Sequence, residues 1–176
     1  MSRTNPYKQK RRQAKQSILV YVEGLHEENI LKHLRALYTH ESGKNIKIVR
    51  GSDGSADTLI THVIREIGDY DKRVIIFDND KPRVEMDLAR KNAKNNNITI
   101  IENTPCLEAL LLTILKPSTE YSRKSSSWCK KTFQDQYIDY RSHPDHQTYV
   151  KIFPKTLLDK QRLKVLELDK ILTIIS

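Results

Sequence analysis

Four short apolar runs rich in branched and aromatic side chains, separated by segments whose apolar positions recur at helical spacing, constrain this chain more than any other feature. "SILVYV" (17–22), "NIKIV" (45–49), "RVIIFD" (73–78) and "NITII" (97–101) each read as a buried strand. Between the first two, Ile30, Leu31, Leu34, Leu37 and Tyr38 follow an acidic first turn, Glu27 and Glu28, which the positive end of a helix dipole favours. After "GSDGS", the positions Ala56, Leu59, Ile60, Val63, Ile64 and Ile67 fit one helix face. Pro82 precedes a third helical segment, "RVEMDLARKNAKN". In "NTPCLEALLLTIL", Thr104 is placed as N-cap and Pro105 at the first helical position, with Leu107, Leu110, Leu111, Ile114 and Leu115 on one face. Strands alternating with helices predict a mostly parallel α/β sheet of about four strands, covered by helices on both faces because crossovers are right-handed.

At 176 residues and 38 % hydrophobic content the chain suffices for one core with appendages. The order of segments predicts a flexible basic arm over 1–16, an α/β core over 17–116 and a basic, mainly helical extension over 117–176 packed on that core. No apolar run approaches the roughly 18 residues of a membrane span, and no signal-type segment opens the chain, so a soluble, cytoplasmic protein without a membrane partner is expected. Two cysteines, Cys106 and Cys129, are too few for a disulfide framework.

The formal net charge of +9 is unevenly spread. "SRTNPYKQKRRQAKQ" holds six Lys or Arg and no acid, and the stretch from Lys116 to Lys164 is basic as well. Two basic surfaces around a balanced core predict a polyanionic partner, most simply nucleic acid, with Lys8, Lys10, Arg11, Arg12, Lys15, Lys130 and Lys131 as candidate contacts. The plainer alternative for the arm is a solubilising tail.

Ligands of open α/β sheets sit beyond the carboxyl ends of the strands, where strand order reverses. The first strand runs into Glu23-Gly24, the third into Asp78-Asn79-Asp80, and the fourth precedes a helix whose first turn carries Glu108. If strands one and three are neighbours, Glu23, Asp78 and Asp80 converge. Three carboxylates together repel unless a cation neutralises them, and hard oxygen donors suit Mg²⁺. As separate pieces, an Asp-x-Asp turn or helix cap needs no metal.

"ILVYVEGLHEENIL", "VIIFDNDKP" and "ENTPCLEALLLTIL" together resemble the RloB-like family, small phage-defence proteins of abortive-infection type built on a Toprim domain. The Toprim pattern, a Glu-Gly after the first strand and an Asp-x-Asp after the third, is matched by Glu23-Gly24 and Asp78-Asn79-Asp80. The group's further acid is matched by Glu27 or Glu28, and its Pro-Cys-x-Glu helix start by Pro105-Cys106-Leu107-Glu108. The match spans roughly residues 10 to 116. The resemblance implies a Toprim/Rossmann-like fold and Mg²⁺-dependent (or Mn²⁺-dependent) phosphodiester hydrolysis, with Glu23, Asp78 and Asp80 as metal ligands. Glu27 and Glu108 are then candidates for a second cation or for supporting the first. Lys81 could neutralise charge developing on the phosphate, or be a solvated loop lysine. It also implies an ATPase partner that holds or triggers a latent nuclease, and the basic arm leans the substrate toward RNA such as tRNA over DNA. The alternative is a non-catalytic nucleic-acid-binding or partner-regulated subunit of a defence complex.

Tyr121, Trp128, Tyr137 and Tyr140 could stack on unpaired bases, although Phe133, Tyr137 and Tyr140 also share one helix face suited to packing. His143, His146 and Cys129 lack the paired-cysteine spacing of a zinc knuckle. Cys106, with no histidine beside it in sequence, reads as a buried structural thiol.

Overall fold

A computed structural model describes residues 16–51, 54–138 and 146–176. The elements run β1 (Gln16–Val22), α1 (Leu25–Ser42), β2 (Lys44–Arg50), α2 (Ala56–Arg65), β3 (Lys72–Asp78), α3 (Arg83–Asn95), β4 (Ile98–Asn103) and α4 (Leu107–Leu115). A 3-10 turn (Tyr121–Arg123) then leads to α5 (Ser126–Tyr137), α6 (His146–Ile152), α7 (Lys155–Arg162) and α8 (Leu166–Ile175). The four strands form one all-parallel sheet in the order β2-β1-β3-β4, the expected Rossmann-like and Toprim-like α/β arrangement with a helical C-terminal part. No helix among the described residues is long and apolar enough to cross a membrane.

β1 and β3 lie inside the sheet and are buried along their last five residues, as parallel strands covered on both faces must be. The edge strand β2 is more exposed and carries Lys44, Lys47 and Arg50, charges that discourage edge-to-edge pairing. Side chains alternate between two clusters. Leu19, Tyr21, Ile75 and Phe77 meet Leu59, Ile60, Val63, Met86 and Ala89 of α2 and α3. Ile18, Val20, Val22, Val74 and Ile76 meet α1, α4 and the C-terminal part, including Leu168 and Leu172 of α8 and Phe153 between α6 and α7.

The C-terminal helices are pinned to α1 and β2 by polar contacts as well. His33 Nε2 donates to the Phe153 carbonyl (2.7 Å), Tyr38 donates to Asp159 (2.7 Å), and Lys44 Nζ donates to the carbonyls of Thr173, Ile174 (3.1 Å each) and Ser176.

Two helix boundaries differ from expectation. α2 ends at Arg65, which leaves Ile64 partly exposed and Ile67 almost wholly so, against the single six-residue face read from the sequence. The guanidinium of Arg73 takes the carbonyls of Val63, Glu66 and Gly68, supplying from β3 the partners another helical turn would have given. α4 starts at Leu107 with Cys106 as N-cap, two residues beyond the expected Thr104 cap. Its cap is not local: Asp78 Oδ1, at the end of β3, accepts the Leu107 N–H at 2.8 Å.

Candidate functional site

The chain crosses from β1 to β2 on one side and returns to β3 on the other, so the carboxyl ends of β1 and β3 border the switch point of the sheet. Asp78 is the last residue of β3. Strand alternation sends Phe77 toward α2 and α3, and Asp78 toward α1 and α4. Gly24 caps α1 directly after β1, and a Cβ there would stand 2.7 Å from Glu27 Oε2. Glycine therefore lets the Glu27 carboxylate fold back over the first turn of its own helix.

These placements bring Glu23, Glu27, Asp78, Asp80 and Glu108 to one cleft of about 300 Å³, together with Lys130, His26 and Gln134. Glu27, Asp78 and Glu108 are buried. Asp78 is held by the Leu107 N–H and by Lys130, whose ammonium lies 3.3 Å from Asp78 Oδ2 and 3.7 Å from Asp80 Oδ2. Lys81 reaches Glu23 Oε1 at 2.8 Å and the Gly54 carbonyl at 3.2 Å.

The electrostatics follow from crowding acids in a poorly solvated place. Burial, followed by the charge of Asp78, pushes the Glu27 carboxyl up to about 7. Burial also pushes Asp78 up to about 6, against the pull of Lys130 and the Leu107 N–H, with Glu108 and Asp80 adding to the rise. Burial works against the Lys130 ammonium, yet Asp78, Glu108 and Asp80 raise it above the ordinary lysine range.

Chemically, carboxylates gathered from the ends of β1 and β3 and the first turns of α1 and α4, with an opening to solvent, are of a kind that can hold a hard divalent cation. Glu108 provides the test of fit. It is only 6 % exposed and its Oε2 is buried without a hydrogen-bond partner, an arrangement that costs stability unless something positive meets it.

Other residues named from the sequence lie elsewhere. Lys131, one residue from Lys130, points to solvent and pairs with Asp135 at 3.1 Å. Glu28 pairs with Lys32 and Arg50, apart from the cleft. Lys8, Lys10, Arg11, Arg12 and Lys15 lie outside the described residues, as do Tyr140 and His143. Tyr121 and Phe133 are buried in the core, Tyr137 packs against it, and the half-exposed Trp128 stacks on Tyr121. Cys106 and Cys129 are both free and buried.

Three cleft residues were not anticipated there. His26 lies just after the Glu-Gly motif, so its place could have been read from its neighbours in the chain; its 2.8 Å hydrogen bond with the buried Tyr149 hydroxyl could not. Gln134 and Lys130 share a face of α5 at i, i+4 spacing, but nothing in that pattern says where α5 docks. No family model, curated protein or solved structure matches the chain.

Proposed function

We propose that the protein is a Mg²⁺- or Mn²⁺-dependent nuclease of the Toprim type, acting in antiphage defence as its resemblance to RloB-like proteins implies, with RNA such as tRNA favoured over DNA. The observation that carries the reading is the convergence of five carboxylates at the switch point of a parallel sheet, one of them, Glu108, with a buried oxygen that makes no hydrogen bond. Glu23, Asp78 and Asp80 would hold the cation, with Glu27 and Glu108 closing the inner side. The bound cation supplies charge neutralisation at the phosphate and a more acidic water. Lys81 and Lys130 flank the cleft with ammonium groups that a phosphodiester can recruit away from their carboxylates.

A second reading is favoured by those same ion pairs. Lys130 already partly neutralises Asp78 and Asp80, so the cluster would persist in a binding subunit that never turns over.

Incubating the full chain with total tRNA, single-stranded DNA and plasmid, with Mg²⁺, Mn²⁺ or EDTA, separates the two. Cation-dependent cutting that falls more than about a hundredfold in Asp80→Asn is expected. Asp80 suits the test better than Asp78, because Asp78 also caps α4. Binding of all three polymers without cutting, unchanged by Asp80→Asn, would favour the binding subunit.

A further inference from the structure

We propose that Asp78, Cys106 and Glu108 form a thiolate-containing site for a transition-metal ion of the Zn²⁺ or Co²⁺ class beneath the start of α4. One ligand atom from each of the three lies within 4.8 Å of the others, and all three residues are buried. Donors around a tetrahedral Zn²⁺ stand roughly 3.5 to 4 Å apart, so closing this triangle on an ion needs side-chain adjustment and release of Asp78 Oδ2 from the Lys130 ammonium.

Two further observations point to missing partners beside the start of α4. Glu108 Oε2 is buried and has no hydrogen-bond partner. Asn103, fully buried in register with Asp78, leaves both its amide nitrogen and its amide oxygen without partners. By strand alternation Asn103 shares the α4-facing side of the sheet with Asp78 and Ile101. Orphaned buried groups cost stability unless something meets them, and the Glu108 oxygen is one that a cation would meet.

Cys106 decides which ion. Its sulfur lies within 4.8 Å of a carboxylate oxygen from each of Asp78 and Glu108. A cation between them reverses the sign of the local field. Binding then breaks the S–H bond, the sulfur pair goes to the metal and the proton leaves to solvent. A thiolate adds little for Mg²⁺, which takes oxygen donors, but selects borderline and softer ions. Cys129, whose thiol lies against that of Cys106, is outside the triangle and serves as the control.

The inference rests on the cleft holding a cation, not on its cutting a polymer. The full chain is titrated with Co²⁺ under reducing conditions while the near-ultraviolet thiolate-to-cobalt charge-transfer band is followed. Saturable appearance of the band is expected, with displacement by Zn²⁺ but not by about a hundredfold excess of Mg²⁺. Cys106→Ser should lose the band and Cys129→Ser keep it. Glu108→Gln, which retains the thiol, should need at least about tenfold more Co²⁺ to reach the same absorbance. A wild-type protein without the band, or a folded Cys106→Ser protein that retains it, overturns the site. Mg²⁺-dependent cleavage without the band would overturn this inference and leave the nuclease standing; the band without cleavage would do the reverse.

Discussion

Glu102 and Glu108 stand on either side of one turn, and the protein treats them oppositely. Glu102, at the end of β4 on the α3 side, receives Arg90 through two 2.7 Å hydrogen bonds, and Arg90 also binds Asp87 at 2.8 Å. Glu108, in the first turn of α4, has one oxygen buried and unmet, in a helix otherwise almost entirely Leu, Ile and Ala. A forked Arg–carboxylate pair at the surface is worth no more than about 1 kcal/mol, whereas an unsatisfied buried polar group costs about 1–3 kcal/mol. The fold can therefore satisfy a carboxylate where it needs one for structure. Where it leaves an oxygen without a hydrogen bond, as at Glu108, the proposed cation would meet it.

That contrast sets the largest expected effect, on the α1 side of the cleft. Glu27 is pushed up to about 7 from an ordinary value of 4.5, so the metal-free native state binds its proton more tightly than the unfolded chain does. In EDTA, this contribution leaves the protein most stable at the acid end of that interval. It lowers stability as pH rises from about 4.5 through about 7, by on the order of 3 kcal/mol in all. Asp78, raised to about 6, acts in the same direction. Glu27→Gln should flatten the dependence and raise the melting temperature at pH 8. Urea denaturation at pH 5 and pH 8 measures it, and a slope equal in both proteins would show that Glu27 does not carry the charge burden of the cleft.

Next in size is the direct comparison. Glu108→Leu exchanges an orphaned carboxylate for a side chain that suits its surroundings and should stabilise the metal-free protein by about 1–3 kcal/mol while weakening stabilisation by Mn²⁺. Glu102→Leu leaves Arg90 without its fork and should lower stability slightly, with the Mn²⁺ response intact. Thermal melts of both variants with and without Mn²⁺ test the pair. If Glu108→Leu destabilises the protein, the carboxylate has a structural partner and the contrast fails.

The sheet and the acids at its strand ends could be read from the sequence because both depend on short-range pattern. Continuous apolar runs such as "VIIF" mark strands buried on two faces, and the residues that follow or end them, Glu23 and Asp78, must then stand at the carboxyl end of the sheet. What escaped was settled by residues distant in sequence. Asp78 caps α4 from β3, so the nearer candidate, Thr104, looked like the cap; Arg73 ends α2 from β3, so Ile64 and Ile67 looked like a continuing helix face. The same holds for Glu108 and Cys106. Their types and first-turn positions were visible, but whether an oxygen finds a partner, or a thiol lies between two carboxylates, depends on packing that no local period encodes.

Lys130 and Lys131 carry this lesson to adjacent residues. Both belong to a basic segment and share the sequence signature of a nucleic-acid contact, yet Lys130 turns inward to Asp78 and Asp80 while Lys131 makes an exposed i, i+4 pair with Asp135. A divalent cation entering between the aspartates must displace the Lys130 ammonium. Lys130→Met should therefore bind Mn²⁺ about tenfold more tightly, and its metal-free form should be less stable because two neighbouring carboxylates lose their counter-charge. Lys131→Met should change stability by less than about 0.5 kcal/mol and leave Mn²⁺ binding as it was. Mn²⁺ titrations of the three proteins, followed by thermal shift, compare them directly. Weaker Mn²⁺ binding in Lys130→Met would mean that the ammonium organises the aspartates for the cation instead of occupying its place, and Lys130 would then belong to the site as a positioning residue.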